Sequence, residues 1–122
     1  MERVLGLGGV FIKARDPQGL ARWYEQHLGV PVGPGDTYGA FTSSGSGEVA
    51  IWSAFGEDSG YFGSPDARWM VNFRVRNLDA MLAQLKAAGA PVDDRIEEEY
   101  GRFGWATDPE GNRIELWEPP SA

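Results

Sequence analysis

Cysteine is absent from this chain and histidine occurs once, at His27. The first absence rules out disulfides, thiolate nucleophiles and cysteine-bound metals. It also fits a reducing compartment, so the expected location is the cytoplasm. Basic residues are scarce too: 11 Lys and Arg stand against 18 Asp and Glu, for a formal net charge of −7. That balance argues against a nucleic-acid partner, because phosphate backbones require a basic face. It leaves cationic small molecules as candidates for attraction. No apolar run approaches the roughly 20 residues that a membrane helix needs. The opening "MERVLGLGG" lacks the basic stretch and long apolar run of a signal peptide. The expectation is a soluble protein without a membrane partner.

What is present is an internal repeat. "GVFIKARDPQGLARWYEQHLG" (Gly9–Gly29) and "MVNFRVRNLDAMLAQLKAAG" (Met70–Gly89) follow the same plan, about sixty residues apart. Each opens on a run rich in β-branched and aromatic residues, the signature of a strand. Each then reaches a helix-capping residue, Asp16 or Asn77. Pro17 occupies the first helical position, where its missing N–H costs nothing. Leu20, Trp23, Tyr24 and Leu28 recur at helical spacing, as do Leu78, Leu82, Leu85 and Ala88. The spacing predicts helices near 17–28 and 78–88, stopped at Gly29 and Gly89 by left-handed glycine caps.

Strand-like segments follow each helix: "VPVGPGD", "TYGAFTSS" and "EVAIWSAF" after the first, "PVDDRIEEEY", "RFGWATD" and "RIELWEPP" after the second. Both halves therefore read β-α-β-β-β, eight strands and two helices in an α+β chain. Module one spans about 5–55 and module two about 68–119. The glycine-, serine- and proline-containing stretch at about 56–67 connects them within a single domain of 1–122. Aligned by pattern, Val49-Ala50-Ile51-Trp52 corresponds to Ile114-Glu115-Leu116-Trp117. "DPEGN" at 108–112 reads as a tight turn before the last strand.

A strand, then "Asp-Pro…Leu…Trp-Tyr…Leu-Gly", then a repeat ending "Asp-Pro-Glu-Gly-Asn-Arg-Ile-Glu-Leu" resembles the vicinal oxygen chelate superfamily. That superfamily includes glyoxalases, extradiol dioxygenases and bleomycin and fosfomycin resistance proteins. The resemblance covers about residues 5–119. It implies two βαβββ modules whose mixed sheets curve around a cup, and a homodimer. It also implies four metal-ligand positions, usually His, Glu, His and Glu, which fall here on Gly9, Ala50, Met70 and Glu115. Only Glu115 of these can bind a hard or borderline metal ion, and such ions want about three or more N or O protein ligands. No metal site and no cofactor are expected.

Strand parity then lines the implied cup. Ile114 and Leu116 belong to the helix side, so Arg113, Glu115 and Trp117 face the cup. By the same alternation Phe11 and Lys13 join Gly9, Asn72 and Arg74 join Met70, and Trp52 joins Ala50. The candidate ligand-binding set is Phe11, Lys13, Trp52, Met70, Asn72, Arg74, Glu115 and Trp117; Trp105 is left facing either way. Aromatic walls with a few polar groups suit a small-molecule pocket. The expected function is metal-free binding of a small aromatic or cationic molecule, as bleomycin-type resistance proteins sequester an antibiotic. The alternative is an enzyme: a lyase or isomerase using Glu115, the one catalytic candidate, or a dioxygenase-like protein with an unrecognised metal.

Overall fold

The computed structural model describes residues 1–43 and 45–121. Strand β1 (Val4–Ala14) leads into helix α1 (Pro17–Leu28), then β2 (Tyr38–Thr42) and β3 (Val49–Gly56). A single 3₁₀ turn at Gly60–Phe62 precedes β4 (Trp69–Val75), helix α2 (Leu78–Ala87), β5 (Val92–Glu98), β6 (Gly101–Thr107) and β7 (Arg113–Glu118). Among the described residues these make seven strands, one fewer than the eight expected. The missing strand is the segment after α1, which contributes only an isolated bridge between Val32 and Gly39. Pro31 and Pro34 remove two backbone donors there, and Gly33 and Gly35 add no strand propensity. Ser44, the last residue of the expected "TYGAFTSS" strand, lies outside the described residues.

Both helices begin and end where their caps dictate. The Asp16 carboxylate accepts from the Gly19 N–H at 3.0 Å, Pro17 opens α1, and Gly29 closes it at φ 71°. The Asn77 side chain accepts from the Ala80 N–H at 3.0 Å, and α2 runs out at Ala88 before Gly89 at φ 89°. Among the described residues no helix is long and apolar enough to cross a membrane.

The chain separates into two compact units, Gly9–Trp69 and Met1–Gly8 together with the chain from Met70 onward. In the Gly9–Trp69 unit the strand order is β2-β3-β1, with β3 parallel to β1 and antiparallel to β2. Ala21 of α1, Val30 and Val32 form its helix-side core, with Tyr24 and Trp52 packed on them. In the other unit the order is β4-β7-β6-β5, with β7 parallel to β4 and antiparallel to β6. There Val75, Leu78, Met81 and Leu116 make the core, flanked by Phe73, Leu82, Leu85 and Ile114.

The units do not divide where the repeat does. The expected connector belongs to the first unit because Phe62 is buried and Lys13 reaches it. The Lys13 backbone N–H donates to the Arg68 carbonyl at 2.9 Å, and its ammonium to the Ser64 and Pro65 carbonyls at 3.2 and 3.3 Å. The N-terminal residues belong to the second unit. Gln84 brackets Glu2, accepting from its N–H at 2.8 Å and donating to its carbonyl at 3.1 Å, and Arg74 donates to the Leu7 carbonyl at 3.0 Å.

The turn between β6 and β7 is built on one side chain. Asp108 Oδ1 accepts from the Glu110 and Asn112 N–H groups, each at 2.9 Å, and Asn112 Nδ2 donates to Oδ2 at 2.9 Å. These bonds, that of the Asn112 side chain foremost, favour the charged form and hold the Asp108 carboxyl below its ordinary value of 3.8. Because the folded-state value is depressed, the turn's contribution is present above 3.8 and lost as pH falls through the lower, folded value. Replacing Asn112→Ala is expected to bring the Asp108 titration back towards 3.8, followed by carbon-detected NMR of the side-chain carboxyl; an unmoved titration would mean that Asn112 is not its main partner.

Candidate functional site

Ile114 and Leu116 pack against α2, so alternation along β7 turns Glu115 to the opposite face. There it is 1% exposed. A carboxylate taken this far from water requires donors. Both come from the neighbouring strands at its own level. Asn72 is the register partner of Glu115 in β4 and donates from Nδ2 to Oε1 at 2.7 Å. Trp105 is its register partner in β6 and donates from Nε1 to Oε2 at 2.9 Å. Three adjacent strands thus contribute one residue each to a single buried polar cluster.

The surroundings are apolar and tightly fitted. Met70 is fully buried. Trp117 stacks on Phe103 with ring centroids 6.1 Å apart and donates from Nε1 to the Tyr100 carbonyl at 2.8 Å. Arg113 pairs with Asp93 and lies 5.2 Å from the Trp105 ring. Gly8 sits against the cluster: a Cβ built on it would run into Asn72 Oδ1 and come within 2.9 Å of Trp117 Cε3. Only a glycine lets β1 pass at that point. Asn72 Oδ1 itself is buried and has no hydrogen-bond partner among the described residues.

Asn72, one of the donors that parity offers Glu115, reaches it, and Trp105, whose facing the sequence leaves open, donates to it as well. The signal for Trp105 is in the hairpin. Counting back from the Asp108–Asn112 turn pairs Thr107 with Arg113 and Trp105 with Glu115, on one face. The place of Gly8 has no such signal, since a residue without a side chain leaves no pattern.

In the Gly9–Trp69 unit, Phe11 and Lys13 are buried on the face away from α1. Phe11 lies 5.4 Å from the Phe55 ring, and Lys13 Nζ sits 5.2 Å from the centre of the Phe62 ring. Trp52 requires a correction. It packs on Tyr24 of α1, with centroids 4.5 Å apart, so it lies on the helix side. The β1–β3 register pairs Gly9 with Ile51, Phe11 with Ser53 and Lys13 with Phe55, which sends Ala50 and Trp52 to the helix face. With Gly9 and Met70 as equivalent starting points, Phe11–Ser53 corresponds to Asn72–Glu115. Ser53, rather than Ala50, is the counterpart of Glu115. The two positions differ by an odd number of residues, enough to exchange the faces.

This donor set does not fit the divalent metal of the resembled superfamily. Gly9, Ala50 and Met70 offer no hard ligand, and the Ser53 counterpart offers a neutral hydroxyl. Among the described residues no three His, Cys, Asp or Glu side chains gather where they could hold an ion. His27 is exposed on α1 and stacks on Trp23, centroids 4.9 Å apart. Glu115, which such an ion would need, already accepts from two neutral N–H groups.

The sequence model of a family described as "Glyoxalase-like domain" matches residues 9–117. No curated protein is significantly similar. Among solved structures, the methylmalonyl-CoA epimerase of Mycobacterium tuberculosis is 24% identical with a TM-score of 0.69, over 97% of this chain and 90% of that one. A variant of the Streptomyces coelicolor methylmalonyl-CoA epimerase bound to 2-nitronate-propionyl-CoA reaches a TM-score of 0.76 at 16% identity, over 98% of this chain and 100% of that one. An extradiol ring-cleaving dioxygenase from B. fuscum gives 0.66 at 17% identity, over 98% of this chain but 34% of its own length. At these identities the likeness establishes the shared fold.

Glu115→Gln tests the cluster directly. The new amide must turn its NH₂ towards either the Asn72 or the Trp105 donor, leaving two N–H groups opposed. Loss of about 1–3 kcal/mol in urea unfolding is expected; an unchanged midpoint would show that the carboxylate is not what holds these strands together. Lys13→Met is expected to speed proteolysis within residues 56–68, because it removes both bonds to the Ser64 and Pro65 carbonyls.

Proposed function

The chain belongs to the glyoxalase-like domain family of the vicinal oxygen chelate superfamily, and we propose that within it this protein binds a small organic molecule without a metal ion. The observation that carries the reading is the state of Glu115. The one potential ligand retained among the four metal positions has both oxygens engaged by neutral donors, Asn72 and Trp105, in a buried setting. An ion-binding carboxylate would need further hard ligands beside it. The aromatic side chains of Trp105, Phe103 and Trp117 around a few buried polar atoms match the usual make-up of an organic-ligand site. The net charge of −7 favours a cationic or neutral ligand over an anionic one.

The epimerase neighbours suggest a second use of the same carboxylate, proton transfer in an isomerase or lyase. A general base must have a lone pair within reach of the proton it removes. Two engaged oxygens that hold three strands in register favour binding over turnover. The proposal extends to a cytoplasmic homodimer. Exposed Leu5 and Leu7 on β1 are apolar surface that a second copy of the chain can cover.

The test is thermal unfolding with Mn(II), Fe(II), Ni(II), Zn(II) or EDTA, alongside a library of aromatic amines, amides and alcohols. Ligand binding stabilises by RT ln(1 + [L]/Kd), about 2.7 kcal/mol at a hundredfold excess over Kd, or several degrees in a chain of this size. The expected outcome is a rise in Tm with one or more organic compounds and none with the metals or EDTA. Near-stoichiometric metal retained through gel filtration, or stabilisation by a metal alone, would overturn the reading. Light scattering at micromolar concentration is expected to give about twice the 13.4 kDa chain mass.

A further inference from the structure

We infer that the Gly9–Trp69 unit carries a ligand site of its own at the amino end of α1, and that it takes an aromatic carboxylate. The site lies in the other unit from the Glu115 cluster and does not depend on the binding function proposed above.

Strand β1 ends at Ala14 and α1 begins at Pro17, so Arg15 and Asp16 form the turn between them. That turn and the start of the helix border an open groove of about 550 Å³, lined by Arg15, Asp16, Gly19, Leu20, Trp23 and Tyr24. Small organic ligands are held in spaces of roughly 300–1,000 Å³. Trp23 keeps 48% of its surface exposed, although tryptophan is on average a well-buried residue. Its ring is held in place all the same. His27, one turn on, stacks on one face with centroids 4.9 Å apart, and Tyr24 meets the ring edge-on at 5.3 Å. One turn back stands Gly19, with no side chain to cover the ring. A Cβ on Gly19 would collide with the Asp16 carboxylate that caps the helix, so the cap itself keeps the groove open there.

The charge chemistry comes from Arg15. The unit has three other Lys or Arg side chains, and each is engaged. Lys13 donates to the Ser64 and Pro65 carbonyls, Arg22 to the Gly33 and Asp36 carbonyls, and Arg68 to the Lys13 carbonyl. Arg15 is exposed and makes no hydrogen bond or ion pair among the described residues. Its planar fork of N–H groups matches a carboxylate in two parallel bonds. Asp16 beside it is occupied differently: Oδ1 accepts from the Gly19 N–H at 3.0 Å, at the positive end of the helix dipole. An aromatic carboxylate sets its anion on Arg15 and its ring against Trp23. An aromatic ammonium would be repelled by Arg15 and would compete with the cap for Asp16.

The experiment uses indole-3-acetate and indole-3-acetamide, which share a ring and nearly a shape but differ in charge. Each is titrated into the ¹⁵N-labelled protein while the Trp23 Nε1, Arg15 Nε and Trp105 Nε1 resonances are followed. The expected result is that indole-3-acetate moves the Trp23 and Arg15 resonances and binds about tenfold more tightly than the amide, the margin of charge-assisted over neutral hydrogen bonds. Arg15→Gln removes the cation at an exposed position where no described bond depends on it, so the fold is expected to stand. In that variant the acid and the amide are expected to bind equally, both still moving Trp23. An unmoved Trp23 resonance at millimolar probe, equal affinity of the unaltered protein for the two probes, or a preference that survives Arg15→Gln would overturn the inference. Shifts confined to Trp105 would overturn it as well, while supporting the binding function proposed above for the other unit.

Discussion

A carboxylate buried to 1% exposure is the constraint around which the second unit is arranged. Glu115 cannot be left without donors, because an unpaired charge in that position would cost more than the unit can supply. Donors come to it from β4 and β6, one strand on each side, at the levels set by the Asn72–Glu115 and Trp105–Glu115 registers. A slip of either strand by one residue would replace Asn72 or Trp105 with an apolar side chain and bury the carboxylate unsatisfied. The cluster therefore pins register across three strands. Leu116, one step along, pins the same strand to α2 from the other side. The close approach of β1 at Gly8 follows from the same cluster, since Asn72 Oδ1 and Trp117 leave no volume for a Cβ.

The first unit solves the equivalent problem with a different charge. Lys13 is 5% exposed and places its ammonium on the Ser64 and Pro65 carbonyls, with the Phe62 ring beside it. Backbone carbonyls and an aromatic face replace the counter-ion that a buried lysine usually requires. A side effect is structural: the segment after β3 is drawn into the unit, and Phe62 fills space against Phe55. The two units thus follow one plan, β-α-β-β-β in the second and the same less one strand in the first, with different residues at corresponding levels. Ser53 occupies the level of Glu115, and Phe11 that of Asn72.

This divergence bears on function. Family membership brings the fold and a set of four positions, but the chemistry depends on what stands there. In this chain those positions retain one buried, hydrogen-bonded carboxylate, that of Glu115.

The sequence by itself determined the helices, their caps and the face of Glu115. Asp16, Pro17, Gly29, Asn77 and Gly89 act through bonds to residues within a turn of themselves, and Ile114 and Leu116 flank Glu115 in a strict period of two. Such local and periodic signals do not depend on what the chain meets later. Only the tertiary structure decided which partner strand stands at which level. It moved Trp52 to the helix side, because the β1–β3 register is a pairing between segments some forty residues apart. It gave Glu115 its second donor in Trp105 and placed Gly8 against Asn72 Oδ1. It also reduced the expected strand after α1 to a bridge. Strand register and close backbone approach are settled by contacts far apart in the chain, where period and propensity carry no information.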